Sequence, residues 1–135
     1  NLNPYQRVEA ETIGWNGGIL TERCYASGGP SYNQNVTGIN NGDWIGLGNV
    51  DFGSQGARSF KANVASTSGG KIEVRLDSTS GTLVGTLTVP NTGGAQNWRE
   101  VETSISGATG VHKLFFVFTG NGSGDLFKFD YWKFS

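Results

Sequence analysis

The chain contains no methionine, one cysteine and one histidine in 135 residues. With Cys24 alone, an internal disulfide and a cysteine-based metal site are both excluded. A chain that begins at Asn1 and has no methionine is expected to be an excised or processed module whose export signal lies outside it. No apolar run is long enough to span a bilayer. Charge is scarce as well: 16% of residues are charged, the formal net charge is -1, and no Lys/Arg cluster occurs. Nucleic acid and anionic membrane therefore have no electrostatic footprint here, and both partner classes are set aside. Phosphate-binding loops, dinucleotide fingerprints and nucleophile elbows are also missing.

What is present is glycine (22 residues), with abundant Ser, Thr and Asn and an aromatic fraction of 12%. Gly and Asn supply turns, while Thr, Val, Ile and aromatics favour strands. At this length a single domain, residues 1–135, can bury a core without disulfides. Turn signals recur about every ten residues between short alternating runs, and no helical period appears. The pattern predicts roughly eight to ten strands in an all-β fold, an antiparallel two-sheet β-sandwich or a barrel.

Individual runs define faces. Phe60, Ala62 and Val64 share one side of a strand over 57–65, and Ile72, Val74 and Leu76 one side of the next. Glu73, Arg75 and Asp77 then point outward, either as a solubilising row or as part of a ligand surface. After the NNGD turn at 40–43, Ile45 and Leu47 face inward, so Trp44 faces outward. Trp98 falls in register with Glu100 and Glu102 on the face opposite Val101 and Ile105. The run 111–119 (VHKLFFVFT) is apolar on both faces, as a central strand requires. Residues 14–35 read as loop, with Tyr32 an aromatic group in a polar setting.

The last run, 126–134 (LFKFDYWKF), reads as a closing strand that pairs with something early in the chain. Strict alternation places Phe127, Phe129 and Tyr131 on one face and Lys128 and Asp130 on the other. Near the start, Val8 and Ala10 alternate with Glu9 and Glu11, whose side chains sit roughly 6 to 7 Å apart on one strand face. That pair is either a solvated face or half of a calcium site, since calcium takes several carboxylate and carbonyl oxygens.

Catalysis has little support. His112 lies inside an apolar strand, where a structural role is the ordinary explanation. Paired carboxylates for glycoside hydrolysis could be drawn from Glu73, Glu100 and Glu102, all on outer faces where charge is unremarkable. Outward aromatics beside polar loops, namely Trp98, Trp44 and Tyr32, instead match sugar chemistry. Aromatic planes cover the apolar C–H faces of sugar rings while amides and charged groups bond the hydroxyls.

The segments VEAE, NNGDWI, VDFGSQGARSFKANVAS, GGKIEVRLDSTSGTLVGTLTVPNTGG, SGATGVHKLFFVFTG and LFKFDYW together resemble the family 6 carbohydrate-binding modules over nearly the whole chain. The resemblance implies a non-catalytic jelly-roll β-sandwich attached to a secreted glycoside hydrolase, binding a β-linked polysaccharide as a monomer. It implies a structural calcium between the first and last strands, on Glu9, Glu11 and Asp130. It also implies two ligand sites. One is a concave sheet face, where Trp44 matches the family Trp and Glu73 and Arg75 lie on a neighbouring strand. The other is a loop-edge site, in which this chain departs from the family at Gly38, Ala95 and Lys128, where a Tyr, a Trp and an Asn are usual. The expectation is a rebuilt loop-edge site around Trp98, with Tyr32 as replacement aromatic wall, Asn97 or Asn121 as replacement amide, and Lys128 marking a changed specificity. β-1,3-Glucan (laminarin) is the first expected ligand. Xylan, or cellulose and mixed-linkage glucan, is the alternative; a small glycosidase and a non-binding packing module complete the set.

Overall fold

The computed structural model describes residues 2–10, 14–23, 34–121 and 125–135. Those residues form eleven strands: β1 (Val8–Glu9), β2 (Trp15–Gly17), β3 (Leu20–Arg23), β4 (Gln34–Thr37), β5 (Trp44–Asp51), β6 (Ser59–Ser66), β7 (Gly70–Leu76), β8 (Thr82–Val89), β9 (Gly94–Ser104), β10 (Val111–Thr119) and β11 (Lys128–Phe134). They make two sheets, one ordered β3-β4-β11-β6-β9 with β1 also on β11, the other β2-β5-β10-β7-β8. Every strand pair is antiparallel. This is the all-β two-sheet sandwich the alternation predicts.

Inward residues from both sheets meet in one core. Phe116 on β10 packs its ring against Phe60, Phe129 and Trp132 of the opposite sheet, at centroid separations of 5.3, 5.7 and 5.3 Å. Phe118 reaches Phe129 in the same way, and Phe134 contacts Phe60, Phe52 and Trp132. Most of these contacts are edge-on or tilted, the geometry favoured by ring quadrupoles, at about 0.5–1.5 kcal/mol per pair beyond area burial. The expected inward sets Ile45/Leu47, Phe60/Ala62/Val64 and Ile72/Val74/Leu76 are all buried.

Two expectations are corrected. The stretch 14–35 is not simply loop, because β2 and β3 lie within it and β4 begins in it. These strands are only three or four residues long, and pairing with β5 and with each other defines them rather than any internal alternation. Alternation along β11 is also not strict. A register shift between Phe129 and Tyr131 moves Tyr131 off the core face, and Trp132 and Phe134 fill the core beyond it. An extra residue in one strand of a pair changes which side chains face inward beyond that point.

The closing strand does pair with an early one: Val8 is opposite Trp132 and Glu9 opposite Tyr131. It also lies between β4 and β6, so it carries three neighbours along its length. Phe116→Ala is expected to lower unfolding free energy by about 3–5 kcal/mol, as full burial of a large ring implies, measurable by urea denaturation.

Candidate functional site

The outer face of the five-stranded sheet carries an aromatic surface. Two rows cross it through opposed residues, one running Trp15, Gly46, Phe115, Arg75, Leu83 and the next Gly17, Trp44, Val117, Glu73, Thr86. Five strands at the usual spacing make each row about 19 Å long. Trp15 is 47% exposed and Phe115 only 8%, although Phe115 is not part of the core between the sheets. Its ring is covered instead by the two tryptophans. Trp15 and Phe115 are nearly parallel, with an interplanar angle of 12° and centroids 6.5 Å apart, while Trp44 tilts against Phe115 at 5.9 Å.

Glycines make the surface possible. A Cβ on Gly46 would lie 2.7 Å from the Phe115 ring and 3.2 Å from Trp15, and one on Gly17 would lie 2.3 Å from the Trp44 indole nitrogen. Beyond the rings, Arg75 Nε donates to Glu73 Oε1 at 3.0 Å and Nη1 to the Gly81 carbonyl at 2.8 Å. Lys113 brings its ammonium to 5.6 Å from the Trp15 ring centre. Stacking area, a fixed carboxylate and fixed cations therefore share one face, the combination that holds a sugar ring by its C–H face and its hydroxyls.

The expected loop-edge residues behave differently. Trp98 is half-buried on β9 and its Nε1 donates to Gln96 Oε1 at 2.9 Å. Lys128 Nζ bonds Glu22 Oε1 at 2.6 Å and Thr37 Oγ1 at 2.5 Å, with a side chain only 13% exposed. Gln96 in turn donates to Glu22 and to the buried Asn35, closing a network over β3, β4, β9 and β11. A cavity of about 240 Å³ lies beside it, lined by Ala95, Lys128, Asp125 and the Ser66–Thr67 segment. Asn97 is exposed and folds back over Gly93 and Gly94. Asn121 lines a separate polar groove of about 710 Å³ with Asn41, Lys71 and Asn91. Tyr32 lies outside the described residues.

At the junction of first and last strands, Asp130 is fully buried and Ala10 N donates to its carbonyl at 2.7 Å. Asn63 Nδ2 approaches the Asp130 carboxylate at 3.3 Å. Arg7 forks onto Glu9, Nε to Oε2 at 2.8 Å and Nη2 to Oε1 at 3.1 Å, with Nη2 also 4.0 Å from Asp130 Oδ2. The Arg7 guanidinium lies 4.0 Å over the Tyr131 ring centre. Tyr131 donates its hydroxyl to Glu100. Desolvation, then the bond to Glu100, push the Tyr131 phenol well above its ordinary range. Glu11 is outside the described residues, and among those described no three metal-ligating side chains gather.

The profile of the carbohydrate binding module (family 6) matches residues 9–135. The chain belongs to that family. As such the module binds carbohydrate and is non-catalytic. It is 74% identical over 135 residues to an arabinoxylan arabinofuranohydrolase from Bacillus subtilis (strain 168), covering all of this chain and 26% of that protein, so it spans about a quarter of that relative. The crystal structure of a family 6 module from Clostridium cellulolyticum in complex with xylose matches with 43% identity and a TM-score of 0.90, over 99% of both chains. A β-1,3-glucan-binding family 6 module from Bacillus halodurans matches with 38% identity and a TM-score of 0.91, over 98% of this chain and 96% of that one.

Sequence reading found Trp44, Glu73 and Arg75 on the outer face and missed Trp15, Phe115 and Lys113. Phe115 was hidden because β10 is apolar on both faces, and Trp15 because its strand is three residues long. For Phe115 there was a signal: it alternates out of phase with Leu114, Phe116 and Phe118.

Since the Tyr131 phenol titrates later when folded than the ordinary value near 10, its contribution to stability is complete below that pH. It is lost as pH rises through the higher folded value. Ultraviolet titration near roughly pH 11 should show fewer ionised tyrosines in native than in denatured protein, and Tyr131→Phe should remove one of the delayed groups.

Proposed function

We propose that the module binds a β-1,4-linked polysaccharide, a xylan chain first, across the outer face of the five-stranded sheet. The observation that carries this reading is the near-parallel Trp15–Phe115 pair with Trp44 beside it and the Arg75–Glu73 pair in line. Phe115 lies beneath and supports the exposed ring of Trp15, which with Trp44 offers apolar surface to the C–H face of a sugar. Support also comes from the relatives, one named for arabinoxylan and one solved with xylose. The module then tethers an attached, secreted glycoside hydrolase to its polymer and raises its local concentration there.

A β-1,3-glucan ligand at the loop edge is the second reading, favoured by the likeness to the Bacillus halodurans module and by the cavity beside Ala95 and Lys128. There the Lys128 ammonium is already engaged by Glu22 and Thr37, so a sugar hydroxyl must compete with an ion pair. The outer-face aromatics carry no such competition.

Calcium is proposed at the strand junction. Glu9 and Asp130 are hard oxygen donors, and a single guanidinium reaches both, so the two carboxylates converge on one cation position. Together with Glu11 they would hold the ion, which would cross-link the first and last strands.

Affinity electrophoresis against arabinoxylan, debranched xylan, laminarin, lichenan and cellulose tests the ligand. Trp44→Ala and Trp15→Ala should each weaken xylan binding at least about tenfold, or about 1.4 kcal/mol, and Trp98→Ala should leave it unchanged. Loss of binding in Trp98→Ala alone, with laminarin the preferred polymer, would transfer the site to the loop edge. For calcium, saturation at a hundred times the dissociation constant should add about 2.7 kcal/mol. Chelation should therefore lower Tm by several degrees, and an unchanged Tm would reject the ion.

A further inference from the structure

Arg7 is the one described cation that reaches both junction carboxylates, forking onto Glu9 and lying 4.0 Å from Asp130 Oδ2. It occupies a defined position because its guanidinium also stacks on Tyr131, and Tyr131 is itself tied to Glu100. A guanidinium stays charged throughout the working pH range, so it cannot discharge to relieve repulsion. Its attraction to Glu9 and Asp130 is greatest when those oxygens are not shared with another cation. A divalent ion on the same oxygens repels it and draws away their electron density.

We infer that Arg7 is an internal counter-cation that antagonises calcium at the Glu9–Asp130 junction, setting its affinity and holding the two strands together when the ion is scarce. The inference rests on the calcium reading above. Coupling of this kind is reciprocal: whatever calcium takes from the Arg7 interaction, Arg7 takes from calcium affinity. The Arg7 side chain is 48% exposed. Displaced from Glu9, it has water to move into, which keeps exchange of one cation for the other inexpensive. A merely structural role would give the opposite sign, since damaging the junction would weaken calcium as well.

The test uses chelator-treated wild type, Arg7→Gln and Arg7→Lys, titrated calorimetrically with calcium chloride and melted with and without the ion. Arg7→Gln should bind calcium about tenfold more tightly, within the 5–150-fold range of ordinary coupling. Its Tm should fall in chelator yet match wild type in saturating calcium. Arg7→Lys keeps the charge and loses the fork, so its affinity should be intermediate. If Arg7→Gln does not fold without calcium, Arg7→Lys and competition against a fluorescent chelator give the same comparison. Calcium binding by Arg7→Gln but not by wild type would support the inference. Equal or weaker binding in Arg7→Gln would overturn it and leave the calcium reading standing. No binding by any of the three would overturn both.

Discussion

The packing of Phe116 against Phe60, Phe129 and Trp132 is the contact on which the rest of the sandwich depends, because it locks the central strand of one sheet to the middle strands of the other. Once β10 is fixed in that register, Phe115 and Val117 must face away from the core. Once β11 is fixed, Lys128 and Asp130 are carried to the far side of the six-stranded sheet. Both candidate ligand faces and the carboxylate junction are therefore products of the same inward packing. Removing the Phe116 ring would loosen the platform and the junction together, although neither touches it.

Period-two alternation made the core faces of β5, β6 and β7 readable, and with them the outward Trp44, Glu73 and Arg75. Where the chain departs from that period, reading failed for definable reasons. The shift between Phe129 and Tyr131 shows in the sequence only as a change of parity, from Phe127 and Phe129 to Trp132 and Phe134, which strict alternation passes over. In β10 both faces are apolar because one packs the core and the other is roofed by Trp15 and Trp44. Lys128 looked like a free outward charge, whereas its partner Glu22 is 106 residues away in sequence. Pairings of that span are set by topology, and no local window contains them.

The two candidate faces differ in what binding must disrupt. At the loop edge, Lys128, Glu22, Gln96, Asn35 and Trp98 already satisfy one another in a partly buried network. A ligand there exchanges made hydrogen bonds for new ones, and each partner left unsatisfied costs about 1–3 kcal/mol. On the outer sheet face Trp15 is 47% exposed, with the Lys113 ammonium near its ring, so a sugar gains release of that apolar surface. The ion pair of Arg75 and Glu73 must likewise be shared with a ligand, but it is partly exposed to solvent and already fixed. Its geometry is set before the ligand arrives, and little side-chain entropy remains to be lost.

The proposed sugar-binding face and the carboxylate junction belong to opposite sheets. The junction of Arg7, Glu9, Asn63 and Asp130 belongs to the sheet containing β1 and β11, and the aromatic platform to the sheet containing β2, β5 and β10. The two are separated by a core of packed rings. At such separation, effects on stability and on binding are expected to add independently. Changes at the junction are thus expected to shift thermal stability without altering the outer aromatic face. Changes among Trp15, Gly46, Phe115 and Trp44 can reshape the outer face without disturbing the strand junction. The exception is Gly46, where any Cβ meets two rings at once, so that the shape of the platform and the strain in β5 cannot be varied separately.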